Sequence, residues 1–246
     1  MTEALRPPGD PSELHLRISY ADALLDTPHA DALERWDVAV LHGHGVHDDS
    51  RCPAAPGACA THFCPAYARD GIEVGSMTFF RVHVDRGQNA FWALEEETEG
   101  LYEIAQAVLD PDTGNFNESA NEELEYVGTG LLVMDRVTLD ENWRGHGLGA
   151  VLALEAILRL MPGCRAIACS PGVTDLTGER LRDQAEWERV TAKITRGWEG
   201  LGFRRHQGTV YLLSPASQDL EEQRDVLRRR LAELGASWRA AQAGAS

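Results

Sequence analysis

Short runs of alternating or clustered apolar residues predict the strands of a sheet. The pattern places strands at 15–20, 37–41, 71–85, 130–139, 165–169 and 209–213. The run at 130–139 is apolar and rich in β-branched residues, as expected of a buried strand. Segments with helical spacing lie between these strands, so the order of elements indicates an α/β (α+β) fold.

Apolar residues three and four positions apart predict helices at 94–109, 147–160 and 181–201, and a short helical turn is predicted at 31–36. Pro162 and Gly163 end the second helix, and Gly202 ends the third. Both residue types are typical helix terminators, because proline cannot continue the hydrogen-bond ladder and glycine accepts the left-handed conformation.

A further amphipathic helix is predicted within 215–246, which we separate from a single domain at 1–214. Its apolar positions fall on one helical face and are Leu220, Leu227, Leu231, Leu234 and Trp238. An isolated helix of this length gains little stability in water, so the face needs a surface to cover it. That surface is either the chain's own domain or a second copy in a homodimer.

Regular patterning is missing from three segments. Residues 1–12 form a Pro-rich tail, 110–121 form a turn-rich loop, and 42–70 form a long irregular insertion rich in Gly, Pro, Ala, Cys and His.

Charge narrows the classes of partner. The 246 residues carry a net charge of −16, which repels phosphate backbones and argues against nucleic acid as a partner. The same field attracts cationic amines. No apolar run reaches the length of a membrane span, and the N-terminus has no signal-peptide pattern, so a cytoplasmic protein without a membrane partner is expected.

The segment 137–150 carries the chemistry. A strand ends there in a polar turn that enters a helix through Gly145, Gly147 and Gly149. Glycines let the backbone turn tightly and approach a ligand, and the unpaired N–H groups of a helix start suit an anion such as a pyrophosphate. The alternative is a turn that only packs the helix against the sheet.

Two motifs in this order resemble a known family. The sequence Arg144-Gly145-His146-Gly147-Leu148-Gly149 resembles the Arg/Gln-x-x-Gly-x-Gly/Ala signature of the GNAT N-acetyltransferases. The later Trp198-Glu199-Gly200-Leu201-Gly202-Phe203 is similar to the family's Tyr-Glu-Lys-Leu-Gly-Phe stretch. The resemblance covers roughly 127–214.

This resemblance implies a mixed, mostly antiparallel central sheet flanked by helices, and a transfer of acetyl from acetyl-CoA to an amine. The amine would attack the thioester directly in a ternary complex. Backbone groups of Val137 and Leu139 would bind the pantetheine arm. Backbone amides of the signature loop would hold the pyrophosphate, which implicates Arg144, Gly145, His146, Gly147, Leu148, Gly149 and Ala150. The alternative is a catalytically impaired module that binds acyl-CoA.

Departures from the family pattern concern catalysis. Trp198 stands where many members have a tyrosine that protonates the leaving thiolate, Thr191 replaces an asparagine, and Glu141 replaces a proline. Candidate catalytic groups are Asp135, a base on the cofactor strand, and Tyr211, an acid that is otherwise a core residue. If the cofactor strand alternates regularly, Asp135 shares a face with Val133 and Val137. Glu123 and Glu125 are either lining of an acceptor cleft or exposed loop acids.

The insertion contains a cluster of histidines and cysteines. Cys52, Cys59, His62 and Cys64 could supply a structural zinc site, although their spacing is not that of a standard finger. Spacings among His42, His44 and His47 have a faint likeness to a metallo-β-lactamase motif. An unliganded loop and a zinc-organised interaction protein are the other interpretations. The five cysteines without a secretion signal argue against a disulfide framework.

Overall fold

Among the residues that the structure describes, seven strands form a mixed, mostly antiparallel open sheet. The computed structural model describes residues 6–21, 29, 31–43, 71–125, 128–172, 184–217 and 219–244. The strands are β1 Leu14–Tyr20, β2 Leu33–His42, β3 Ile72–His83, β4 Gly130–Leu139, β5 Cys164–Cys169, β6 Arg204–Gln207 and β7 Val210–Leu213. Their order is β1-β2-β3-β4-β5-β7-β6, and β4 with β5 is the parallel pair.

Helices cover both faces of the sheet. In the described residues they are α1 Ala90–Glu97, α2 Glu99–Val108, α3 Glu118–Glu123, α4 Leu148–Leu160, α5 Gln184–Glu199 and α6 Asp219–Ala243. Two 3-10 turns, Pro11–Glu13 and Glu141–Trp143, precede β1 and α4. The crossover between the parallel strands β4 and β5 is made by α4, as parallel pairing requires.

Two apolar cores lie on opposite faces of β4. Leu132 and Met134 pack with α4 in one core, whereas Leu131 and Val133 pack with α1 and α2 in the other. A strand buried on both faces must be apolar at successive positions, which is the pattern of this segment.

A bulge interrupts β4 at Asp135. Thr78 of β3 lies opposite Arg136, while the next β3 residue, Phe79, lies opposite Met134, so Asp135 has no partner in the ladder. The extra residue reverses the alternation: Val137 packs toward the core of Met134 rather than that of Val133. The expectation that Asp135, Val133 and Val137 share a face is therefore wrong.

The predicted strands are confirmed with shifts in their ends. Tertiary contacts overturn several predictions for the segments between them. The turn predicted at 31–36 is wrong from residue 33 onward, because Trp36 pairs with Phe79 in the sheet and stacks on Tyr20 with ring centroids 4.9 Å apart. The loop at 110–121 contains the start of α3, and β6 was not predicted.

The single helix predicted at 94–109 is two helices. Thr98 between them is extended, with φ −152° and ψ 157°, and its hydroxyl accepts a hydrogen bond from Leu101 N–H at 3.2 Å. A threonine cap of this kind starts a new helix, so the run of helical spacing breaks there.

The apolar face of α6 packs on the chain's own domain. Leu220 is buried. The apolar core that contains α4 and Met134 is also contacted by Leu227, Leu231 and Leu234. Near its end, Trp238 Nε1 donates to Pro7 O at 3.1 Å. Packing on the own domain is one of the two surfaces the sequence left open, and the homodimer stays a prediction.

Ion pairs fasten α6 to α4 through one carboxylate. Glu155 of α4 accepts hydrogen bonds from Arg224 Nε at 3.0 Å and Arg228 Nε at 2.5 Å on α6, and from Arg159 Nη1 at 2.7 Å. Burial alone would raise the pKa of Glu155, but these three arginines outweigh it and hold the pKa well below its ordinary value.

No helix within the described ranges combines the length and the apolar character that crossing a membrane requires.

Replacing Glu155 with Gln should destabilise the fold by about 2 kcal/mol in urea unfolding at pH 7, because charge-assisted hydrogen bonds are lost. A carboxyl whose pKa is depressed on folding stabilises the fold above its unfolded pKa and loses that contribution as pH falls. The difference between wild type and variant should therefore shrink below about pH 4.5. Glu221→Gln, which removes an exposed pair with Arg224, is the control and should cost under about 0.5 kcal/mol. Equal effects of the two substitutions at pH 7 would contradict the role of Glu155.

Candidate functional site

A cleft of about 450 Å³ opens between the end of β4, the start of α4 and the side of α5. Pairing between β4 and β5 ends at Met134 and Cys169, while β4 continues to Leu139. The cleft fills the space that β5 leaves beside the second half of β4. Its walls are Met134 to Leu139, Trp143 to Gly145, Gly147 to Ala150, Cys169 to Gly172, and Val190, Lys193, Ile194, Gly197 and Trp198.

The β4 wall presents backbone groups to the cleft. Asp140 N–H donates to Val74 O on β3 at 2.8 Å. Because the peptide groups of successive residues in a strand point to opposite sides, those of Val137 and Leu139 point away from β3 and toward the cleft. The carbonyl of Leu139 accepts a hydrogen bond from Arg144 Nε at 2.6 Å, which is consistent with this direction. The wall can therefore hydrogen-bond an extended ligand as an extra strand would.

Glycines shape the turn between β4 and α4. Gly145 and Gly147 have φ angles of 88° and 77°, a left-handed conformation that other residues adopt at a cost. Gly147 caps α4 without a side-chain hydrogen bond, so no cap satisfies the first N–H groups of the helix. A Cβ atom added to Gly149 would meet nothing within 4 Å, so this helix start lies beside open space. Such a helix start suits an anion.

The wall formed by α5 is mainly apolar. Val190, Ile194 and Trp198 line it, and Trp198 is buried with its ring 6.4 Å from that of Phe203. Lys193, the lysine of the chain, also lines this wall and is exposed. An apolar wall opposite a hydrogen-bonding strand suits a ligand with a long amide-containing chain.

The end of β5 forms the floor of the cleft. Burial raises the pKa of the Cys169 thiol well above its usual range, so the thiol stays protonated and is a poor nucleophile. Ser170, which follows, donates from its hydroxyl to Thr209 Oγ1 at 3.0 Å.

Asp135 brings a carboxylate to the cleft. It is half-buried at the bulge, and burial raises its pKa, an effect that the charges of Arg136 and Arg35 partly offset. A carboxylate that is disfavoured by burial is a better proton acceptor than an exposed one, which suits it to general-base chemistry.

The cofactor residues predicted from sequence come together in this cleft with one exception. His146 does not line it, and its Nε2 atom is buried without a hydrogen-bond partner within the described residues. The sequence did not predict that Trp143 and α5 line the cleft. The sole lysine of the sequence, Lys193, lies on the helix that leads into the second motif and could have indicated that α5 takes part in the site.

Other predicted residues lie elsewhere. Tyr211 is buried on β7 opposite Cys169 and does not line the cleft. Glu123 pairs with the buried ring of His206 at 2.9 Å, and the backbone carbonyl of Glu125 accepts from Arg165. Neither residue lines this cleft.

The predicted metal ligands Cys52, Cys59, His62 and Cys64 lie outside the described residues, as do His44 and His47. His42 packs on Trp143 with ring centroids 4.9 Å apart, and the described ranges contain no group of three metal-binding side chains.

A scan against models of known protein families gives no match, and no curated protein matches the sequence.

Asp135→Asn should raise the urea midpoint at pH 7. A carboxyl whose pKa is raised by burial opposes folding once it is ionised, so a neutral amide removes that cost. The gain should disappear as pH falls below about 3.8, where the carboxyl is protonated in both states. Asp112→Asn, at an exposed turn, is the charge-matched control and should leave the midpoint unchanged. A lower midpoint for Asp135→Asn at pH 7 would contradict the burial argument.

Proposed function

We propose that this protein is an acyl-CoA-dependent N-acetyltransferase of the GNAT type. One observation carries the proposal: the glycine turn at the start of α4 and the second half of β4 are walls of the same cleft. That half of β4 pairs with β3 on one side and extends beyond β5 on the other. The sequence resemblance assigned the pyrophosphate to the glycine turn and the pantetheine arm to β4. Their spatial coincidence supports both assignments.

The chemistry of the walls fits acetyl-CoA. The pantetheine arm carries two amides that can hydrogen-bond to the peptide groups of Val137 and Leu139, with its methylenes against Ile194 and Trp198. The diphosphate needs donors without side chains in the way, which the start of α4 offers beside Gly149.

In the proposed reaction the acceptor amine attacks the thioester carbonyl carbon. The new C–N bond forms as the C–S bond breaks, and the electron pair of that bond leaves on the CoA thiolate. Asp135 takes the proton that the amine loses, and its raised pKa favours this transfer. The thiolate is a stable leaving group near neutral pH, so a dedicated acid is not essential to the step.

The alternative is a module that binds acyl-CoA without transferring the acyl group. Trp198 favours it, because a buried indole packed on Phe203 has no hydroxyl to donate to the leaving sulfur. A chain that binds acetyl-CoA in calorimetry but releases no CoA thiol with any amine of a broad panel would favour this alternative.

Substitutions at Gly149 test the position of the diphosphate. Gly149→Val should weaken acetyl-CoA binding at least about tenfold in calorimetry, because the branched side chain fills the space beside the helix start. Gly149→Ala is the matched control and should bind within about threefold of wild type, since a single methyl leaves most of that space open. Because an added Cβ meets no atom, both variants should fold. Equal binding by the valine variant would overturn the cofactor assignment.

Trp198→Phe tests whether the second motif supplies chemistry or packing. The transfer rate should stay within about tenfold of wild type, or about 1.4 kcal/mol in barrier height, since neither ring donates a proton to sulfur. The rate is followed by release of CoA thiol with an accepted amine, and circular dichroism checks the fold. A loss above about a thousandfold in a folded variant would contradict a packing role.

A further inference from the structure

The C-terminal helix brings an arginine to the glycine turn. A Cβ atom placed on Gly147 would lie 3.1 Å from Arg230 Nη2, 3.2 Å from Cζ and 3.6 Å from Nη1. The guanidinium group of Arg230 therefore lies against the backbone at the first turn of α4. Arg230 is exposed, and it makes no ion pair or hydrogen bond with any residue that the structure describes.

Neighbouring arginines of α6 are committed to other contacts. Arg224 and Arg228 bind Glu155, and Arg239 pairs with Asp10. At 3.6 residues per turn, Arg230 leaves the helix about 200° around from Arg228. The contacts of Arg224, Arg228 and Arg239 hold α6 in place. Arg230 lies on the other side of the helix from Arg228 and projects toward the glycine turn.

A positively charged side chain at the glycine turn would favour binding of an anionic ligand. The chain carries a net charge of −16, and Asp140 and Glu141 lie just before the turn, so its long-range field opposes a polyanionic ligand. Backbone N–H groups and a helix dipole contribute partial charges only. A guanidinium supplies a full charge and two parallel donors that match a phosphate.

We propose that Arg230 binds the diphosphate of acyl-CoA, so that the helix beyond the acetyltransferase motifs completes the cofactor site. The inference rests on the proposed function and adds a residue that the motif does not contain. On binding, the guanidinium moves from the Gly147 backbone onto the phosphate oxygens beside it. This exchange leaves the Glu155 contacts of α6 intact.

The test compares Arg230→Gln with Arg229→Gln by calorimetry. Arg229 is the adjacent exposed arginine, so the two variants change net charge equally and differ in which flank they alter. Arg230→Gln should weaken acetyl-CoA binding about tenfold, the loss expected for one charge-assisted contact, and Arg229→Gln should change it less than about twofold. Arg230→Lys should recover part of the loss, because the charge remains.

Two further ligands locate the contact. Acetyl-pantetheine has no phosphate, so Arg230→Gln should leave its binding unchanged. Acetyl-3′-dephospho-CoA keeps the diphosphate, so the variant should weaken it as much as acetyl-CoA. An effect confined to the 3′-phosphorylated ligand, or equal effects of the two arginine substitutions, would overturn the inference. A wild-type chain that binds acetyl-CoA while Arg230→Gln is unaffected overturns this inference alone. A wild-type chain that binds no acetyl-CoA overturns the proposed function together with it.

Discussion

The length by which β4 extends beyond its parallel partner is the constraint on which the site depends. Pairing with β5 ends at Met134, opposite Cys169, the last residue of β5, and Asp135 follows as a bulge against β3. Beyond the bulge, β4 still pairs with β3 on one side and leaves its other side to the cleft. A regular strand at this position would carry its alternation through, and Val137 would face the opposite core. The extra residue thus places a carboxylate where β4 begins to extend beyond β5.

The α4 helix has two tasks that compete in principle. Its N-cap is Gly147, which has no side chain to cap the first turn, so the N–H groups that we propose bind the diphosphate lack that stabilisation. The rest of the helix is anchored firmly in compensation: Leu154 and Ile157 are fully buried, and Glu155 binds two arginines of α6. Gly235 of α6 also approaches the first 3-10 turn so closely that an added Cβ would lie 2.6 Å from Asp10 Oδ1. Because α6 contacts both α4 and the first 3-10 turn, it holds these two segments together.

Local sequence was informative wherever one residue type fixes the backbone. The strand 130–139 and the glycine turn were predicted correctly, because an apolar run buried on both faces and glycines with positive φ leave few alternatives. Prediction failed where distant contacts decide. Trp36 belongs to a strand because Tyr20 and Phe79 flank it. Asp135 forms a bulge in the pairing of β4 with β3. The apolar pattern of one strand carries no information about how it pairs with its neighbour. The lining by α5 and the approach of Arg230 depend on packing between elements far apart in sequence.

Charge is arranged unevenly around the cleft, and this arrangement bears on how an acidic protein would handle an anionic cosubstrate. Near the start of α4 lie Arg144, Arg230 and the positive end of a helix dipole, while the bulge carries Asp135. A ligand with phosphates at one end and a reacting carbonyl at the other fits this order of charges. The acidic field that opposes the phosphates also concentrates cationic amines near the protein. A few local arginines can offset that field for the cosubstrate because they act at contact distance, where solvent and salt screen them least. The overall charge can then favour the acceptor without excluding acyl-CoA.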